Sequence, residues 1–367
     1  MKICVLTSLN DANDIRIRKK FIKSILEIDG AYVDYYCVPS ELSIEKNARL
    51  KYKFHNKPKG KMDRLLNNIK LFNKIVRSNY DIVQLCNPEL LPISLLKFFK
   101  KKTIFIFDMH EDFESTIIDK SRSKKIGEIL SAIYKHFISF LRKHCLDYVF
   151  VTTPLIKKKF NGRKTILIEN FAPLIVDDLP NNLNDNNNKL VFVFTGLISE
   201  IRGITRFLSI LKKYNHKDVV LVLMGNIDKS YLNRLNKEYS EFFEYKKTGT
   251  YQNMIETIKK SDVGLLSYLP VRNHLVTRPN KLFEYLMCSI PVLSCNYPLY
   301  SDVVNKGCGI TMDIESELSI NQAINSLKVM KQNNELLKMG EIGYSLYIEK
   351  YNWPQEFKKI SNIYKGN

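Results

Sequence analysis

Arg278-Pro279-Asn280-Lys281-Leu282-Phe283-Glu284-Tyr285, with the apolar run 286–291 and the strand-like Val292-Leu293-Ser294 behind it, is the stretch on which the reading of this chain turns. A cation, a helix start and a carboxylate stand together, and the helix runs straight into a β-rich segment. Pro279 suits the first turn of a helix, where its missing N–H costs nothing. Lys281 and Glu284 are three apart and share one part of the helical surface. The helix start offers N–H groups and a partial positive charge, which suit an anion such as a diphosphate. Glu284, one turn in, is placed to accept two hydroxyl hydrogen bonds from a ribose. A capped surface helix with an i,i+3 ion pair accounts for the same spacing, so spacing alone leaves both readings open.

Outward from this stretch, strand-like and helical segments alternate. In the first half the strand-like runs are Ile3–Thr7, Val33–Val38, Ile82–Leu85, Thr103–Phe107, Tyr148–Thr152 and Thr165–Ile168. Helical patterns lie near 16–28, 61–78, 90–100 and 122–145. Short apolar β-rich runs between helices predict a parallel sheet covered on both faces, a doubly wound α/β domain. From Asp177 to Asn188 the chain is mostly Asp, Asn and Leu around Pro180, which is turn and linker chemistry. Beyond it the alternation restarts, with strands at Leu190–Thr195, Val219–Met224, Phe243–Lys246, Val263–Ser267, Val292–Cys295 and Gly309–Thr311. Helices are predicted near 202–214, 230–239, 251–260, 279–288, 318–330 and 332–349, with a last one over Trp353–Tyr364. The expected domains are 1–172, 173–350 and a terminal helix, 351–367, returning to the first.

After the strand at Leu190–Thr195 comes Gly196-Leu197-Ile198-Ser199-Glu200-Ile201-Arg202-Gly203. A glycine turn feeds a helix start, and Arg202 adds a permanent cation whose fork matches phosphate oxygens. In the first half, Asp108-Met109-His110-Glu111-Asp112 follows a strand, at the edge where ligands bind in such sheets. A His capping the next helix is the plain alternative. Asp14-Ile15-Arg16-Ile17 lies in the first strand-to-helix loop, where Arg16 either meets a phosphate or makes a surface pair with Asp14. Asn87-Pro88-Glu89 follows the third strand.

These motifs together resemble the family-4 retaining glycosyltransferases, enzymes of the GT-B fold. The 278–285 stretch is similar to that family's donor-nucleotide motif in the subset reading "P-x-K-L-F-E-Y" before a small turn and "P-V". The fold class implied is α/β, GT-B, two doubly wound Rossmann-like domains facing each other across a cleft. The resemblance implies that Glu284 holds the ribose, with Gly196, Arg202, Gly203, Lys281 and Leu282 at the donor nucleotide. Arg202 takes the usual Lys position of "G-x-L-x-x-x-K-G". Two departures stand out. Leu197 is found where an Arg is frequent, so one phosphate cation is absent or replaced by Lys281 or Arg278. Val276 occupies the place of a second Glu that touches the donor sugar in many relatives. Asn273, His274 or Thr277 is left to take that role, Asn273 foremost, with Arg278 nearby. "D-x-H-E/D" places His110 by the donor sugar and reacting phosphate, orienting rather than acting as base. With Arg202 and Lys281 it makes up the expected catalytic set. Asp14, Arg16, Asn87 and Glu111 fall on the acceptor side.

Composition bounds the rest. At 367 residues with 45% hydrophobic and 26% charged residues, two ordinary globular domains are expected. No apolar run is long enough to span a bilayer, and the start lacks the pattern of a signal peptide. Seven cysteines without CxxC spacing fit reduced cytosolic thiols rather than a disulfide frame or zinc site. Residues 1–172 hold 33 Lys/Arg against 18 Asp/Glu, and 173–367 hold 24 against 20, so +15 of the +19 net charge lies in the first half. Such an excess suits an anionic partner. The amphipathic stripe Ile126, Ile129, Leu130, Ile133, Phe137, Ile138 and Leu141, with Lys124, Lys125 and Lys135 nearby, suits either packing on the sheet or an anionic bilayer. No nucleic-acid motif is present, and no nucleic-acid partner is expected.

The reading is a retaining glycosyltransferase using a nucleotide-diphosphate sugar, UDP-linked, and a glycan or lipid-linked acceptor in bacterial surface-polysaccharide assembly. It needs no metal or other cofactor. Its expected place is the cytoplasm, peripheral at the inner face of the cell membrane. A nucleotide-sugar epimerase of the same fold and a catalytically weak partner subunit stay open.

Overall fold

The computed structural model describes residues 1–40, 46–110, 112–119, 121, 123–160, 162, 164–173 and 189–366. They form two compact units, Met1–Asn170 with Pro354–Asn367, and Phe171–Trp353. The expected linker stretch, 177–188, lies outside the described residues.

The first unit is built on a seven-stranded parallel sheet. Its strands are β1 (Lys2–Asp11), β2 (Tyr32–Val38), β3 (Leu50–Phe54), β4 (Ile82–Leu85), β5 (Ile104–Met109), β6 (Tyr148–Val151) and β7 (Thr165–Leu167). Their order is β3-β2-β1-β4-β5-β6-β7. Continuous apolar runs such as Ile3–Leu6 and Phe105–Phe107 are fully buried, as a sheet covered on both faces requires. The order reverses between β1 and β4, which makes the carboxyl ends of these two strands the switch point where ligands bind in this fold class.

The second unit carries a six-stranded parallel sheet of β8 (Leu190–Thr195), β9 (Val219–Met224), β10 (Phe243–Lys246), β11 (Val263–Leu266), β12 (Val292–Cys295) and β13 (Gly309–Met312). The order β10-β9-β8-β11-β12-β13 puts its switch point between β8 and β11. The helix Asn280–Met287 lies between β11 and β12 in the chain. The Tyr285 ring reaches under the sheet, with its hydroxyl 3.1 Å from the Val193 carbonyl and 3.4 Å from that of Leu265. That anchor fixes the helix against the two central strands.

Several elements differ from the sequence reading. β3 was not foreseen: Leu50-Lys51-Tyr52-Lys53-Phe54 is an edge strand, with lysines where a central strand has apolar residues. The segment Pro88–Phe98 is 3-10 rather than α-helical, and Ile15–Ile22 is a wide π-type helix. Short helices at Phe113–Asp119, Pro154–Lys159, Arg272–Val276 and Pro298–Val304 were missed. The terminal helix stops at Lys358 and is followed by a 3-10 turn, Ile363–Lys365, whose Tyr364 hydroxyl donates to Gln84 Oε1 at 2.6 Å.

The helix Lys124–His144 uses only part of its apolar stripe for packing. Ile138 and Leu141 are fully buried, whereas Ile126, Ile129, Leu130 and Ile133 are 47–61% exposed. The helix Lys61–Val76 does the same, with Met62, Leu65, Leu66 and Ile69 exposed at i, i+3, i+4 and i+7. Among the described residues no helix is long and apolar enough to cross a membrane. All seven cysteines are buried free thiols.

Candidate functional site

The turn leaving β8 is the centre of the second unit's switch point. Gly196 has φ +88° and Gly203 φ +71°, backbone that a side chain strains. A Cβ at Gly203 would lie 1.8 Å from the Ser267 carbonyl oxygen, so only glycine lets this turn press against the end of β11. The Ser267 hydroxyl donates to the Arg202 carbonyl at 2.9 Å, and Leu269 N–H donates to the Ile201 carbonyl at 3.0 Å. The turn after β8 and the loop after β11 are thereby laced together.

Two cations meet this turn. Lys281, at the start of the helix Asn280–Met287, holds its ammonium 3.0 Å from the point a Gly196 Cβ would occupy and 5.1 Å from the Phe194 ring centroid. It covers the turn that at Leu197 lacks a cation of its own. Leu197 is exposed. Arg202 lies with its guanidinium 4.5 Å from the Tyr268 ring centroid, and its Nη1 donates to His274 Nε2 at 3.0 Å. Arg202 Nε and the Ser199 hydroxyl are buried without a hydrogen-bond partner. Buried polar groups are normally paired, so orphaned atoms on one turn point to a ligand that pairs with them. A diphosphate, rich in acceptor oxygens, fits this donor set.

Glu284 is buried, 7% exposed, one turn into the same helix. Burial first, and then the nearby Glu284 carboxylate, push the Tyr251 phenol and the Cys288 thiol up from their ordinary values. The Tyr251 hydroxyl is another buried group without a hydrogen-bond partner. Leu282 is fully buried in the core and turns no side chain toward a ligand; its N–H donates to the Pro279 carbonyl at 3.1 Å. Pro279 itself is the residue before the helix, not within its first turn.

Of the three residues expected at a donor sugar, Asn273 and Thr277 stay together and Arg278 is engaged elsewhere. Asn273 is exposed, and its carbonyl accepts from the Thr277 hydroxyl at 2.7 Å. Arg278 is bound to the helix Pro298–Val304, through Nε to the Leu299 carbonyl at 3.1 Å and Nη2 to Asp302 at 2.6 Å. Of the two substitutes for the missing phosphate cation, the structure places Lys281 over the turn and engages Arg278 elsewhere. The contact between His274 and Arg202 was missed; the sequence showed only a histidine in the loop.

In the first unit, Arg16 does not pair with Asp14 on the surface. It is buried and bidentate to the fully buried Asp108, at 2.9 Å (Nε–Oδ2) and 2.6 Å (Nη2–Oδ1), while Nη1 donates to Asn170 Oδ1 at 3.2 Å. Burial works against the charge on Arg16, and the adjacent Asp108 more than restores it, so its pKa is raised. Asp14 accepts from Ile17 N–H at 2.8 Å and from Asn10 Nδ2 at 2.8 Å, capping the helix that follows. Asn87 Oδ1 accepts from Ser8 N–H at 2.9 Å, and the Ser8 hydroxyl donates to Glu89 at 2.7 Å. Asn87, Ser8 and the Glu89 carboxylate are thereby joined beside β1 and the end of β4. His110 follows β5 and is half-buried, edge-on to Phe113 at 5.8 Å, and its carbonyl accepts from the Thr152 hydroxyl at 3.1 Å. Glu111 lies outside the described residues. Among the described residues no group of three metal-ligating side chains occurs.

Residues 189–328, within the second unit, match the family model described as "Glycosyl transferases group 1". No curated protein sequence matches the chain. Among solved structures, sucrose-phosphate synthase from Thermosynechococcus elongatus is similar with a TM-score of 0.73 and 12% identity, over 100% of this chain and 98% of that one. HepE of Anabaena, solved in complex with UDP and glucose, has a TM-score of 0.70 and 13% identity over 100% of both chains. A glycosyltransferase from Rickettsia africae ESF-5 has a TM-score of 0.69 and 15% identity, over 100% of this chain and 97% of that one. At these identities the likeness establishes the fold: two parallel-sheet α/β domains of the GT-B type.

Proposed function

We propose that the chain is a retaining glycosyltransferase that takes a sugar from a UDP-linked donor and passes it to a glycan or lipid-linked acceptor in bacterial surface-polysaccharide assembly. One observation carries the reading. The glycine turn after β8 bears Arg202, with an unpaired buried Nε, and receives the Lys281 ammonium from a separate helix. On this reading Arg202 and Lys281 hold the diphosphate and stabilise the charge that develops as it leaves. Their two charges make a divalent metal unnecessary. Glu284 accepts the ribose hydroxyls. The UDP of the HepE complex supports the choice of base. Retention, the acceptor class and the role of His110, which orients and stabilises rather than taking the proton, rest on the resemblance of the motifs.

Glu284→Ala tests the proposal against a non-catalytic partner subunit. Two lost hydrogen bonds to a charged acceptor lower kcat/KM by at least about 100-fold. Turnover of a UDP-sugar by the variant at the wild-type rate contradicts the assignment.

A lipid-bearing acceptor also fits the surface of the first unit. Ten large apolar side chains stand exposed on the helices Lys61–Val76 and Lys124–His144. They share these helices with Arg64, Lys70 and Lys74, and with Lys124, Lys125 and Lys135. Soluble surfaces rarely leave such stripes bare, and cations beside them match an anionic bilayer, worth about 1 kcal/mol for each near the surface. The protein is proposed to sit peripherally at the inner face of the cell membrane. Co-sedimentation with phosphatidylglycerol vesicles at low salt, and not with phosphatidylcholine vesicles, is the expected result. Failure to pellet with either removes the membrane part of the proposal.

A further inference from the structure

We infer that His274 is a positioning residue: as a neutral hydrogen-bond acceptor it holds Arg202 in place for the diphosphate without cancelling its charge. The inference deepens the proposed donor site and rests on it.

The geometry fixes the tautomer. His274 Nδ1 lies 2.8 Å from the Leu269 carbonyl, which only accepts, so Nδ1 carries the proton. Nε2 lies 3.0 Å from Arg202 Nη1, which only donates, so Nε2 presents its lone pair. The ring also lies 4.6 Å from the Tyr268 ring, tilted by 43°, and the Arg202 guanidinium is 4.5 Å from that same ring. With the imidazole 3% exposed, its orientation is set by these partners.

The chemical consequence lies in the choice of acceptor. A carboxylate in this place would hold Arg202 equally well and neutralise it. A neutral imidazole leaves the whole charge for a ligand and leaves Nε, which is buried without a partner, to meet it. The groups in contact with His274 are Arg202 from the turn after β8, the Leu269 carbonyl and the Tyr268 ring. The helix Pro298–Val304, packed on the helix Arg272–Val276, carries Tyr300, which lies against Tyr268, and Asp302, which pairs with Arg278. Burial, followed by the Arg202 charge, lowers the His274 pKa, partly offset by the Leu269 carbonyl. Acidification through that lowered value adds a proton to Nε2, sets N–H against N–H, and frees Arg202 from its seat.

Two measurements on the full chain test this. In histidine-labelled protein, nitrogen NMR at pH 7.5 is expected to show His274 protonated on Nδ1 alone, with its titration below the ordinary value of about 6.5. Calorimetric titration with UDP, GDP and ADP supplies the ligand readout. For whichever nucleotide binds, His274→Phe is expected to weaken affinity about tenfold at pH 7.5, the loss of one charge-assisted hydrogen bond. His274→Gln, which keeps an acceptor that does not titrate, is expected to restore it. Wild type is expected to lose affinity between pH 7.5 and 5.0 several-fold more than His274→Gln, a comparison that removes the nucleotide's own titration. An Nε2-protonated ring, equal binding by His274→Phe, or parallel pH profiles for wild type and His274→Gln overturns the inference. Binding of none of the three nucleotides overturns the donor-site reading, and the positioning role with it, even when the ring spectrum is as expected.

Discussion

Asp108→Ala is expected to destabilise the first unit by about 3–5 kcal/mol, the range for breaking one side of a buried ion pair. Asp108 is fully buried and accepts two hydrogen bonds from Arg16, itself 8% exposed. Removing the carboxylate strands a guanidinium that stays charged at any working pH. It keeps the Phe21 ring, 5.2 Å away, and the neutral Asn170 amide, which also receives the Lys20 ammonium at 2.7 Å. Replacing both partners with apolar residues, Arg16→Met with Asp108→Leu, recovers most of the loss, because the cost is the uncompensated charge rather than the missing contact. Chemical denaturation followed by hydrogen exchange on β1 and β5 distinguishes this unit from the other. Loss of protection confined to β8–β13 runs against the prediction.

Arg202→Ala is expected to lower kcat by about 10²–10³, the usual effect of removing one preorganised donor from a developing negative charge. The expectation is specific to the side chain. The backbone bond from Ser267 to the Arg202 carbonyl and the left-handed Gly203 survive the change, so the turn keeps its course. Arg202→Lys is expected to recover only part of the rate. It keeps a charge and can donate to His274, but it lacks the fork that leaves Nε for a phosphate oxygen. Steady-state kinetics with a UDP-sugar, beside melting temperatures, read the effect. A stable Arg202→Ala variant with unchanged kcat assigns the cation to structure alone.

Much of this was legible in the residues. Runs such as Leu190–Thr195 and Val219–Met224 are apolar throughout because both faces of a parallel sheet are covered, and their limits were read as they stand in the structure. Edge strand β3 was not, because its lysines hide the β pattern. The glycine turn and Glu284 could be placed on a strand end and a helix start. What lies over them could not. For the phosphate cation missing at Leu197 the sequence offered Lys281 or Arg278, and their distant neighbours, Gly196 for one and Asp302 for the other, tell them apart. The sequence offered Arg16 either a phosphate or its chain neighbour Asp14, whereas the carboxylate it pairs with, Asp108, is on the strand after next in the sheet. The stripe from Ile126 to Leu141 has one helical period, yet half packs and half faces solvent. Periodicity reports which residues share a face, not whether that face is covered.

The account stands on a nucleoside diphosphate binding at the end of β8. The most direct measurement is a crystal structure of the protein soaked with UDP. The predicted result is a diphosphate over Gly196, within hydrogen-bonding distance of Arg202 and Lys281, with the ribose hydroxyls on Glu284. A well-ordered UDP seated elsewhere on the chain, with this turn unvisited, would contradict it.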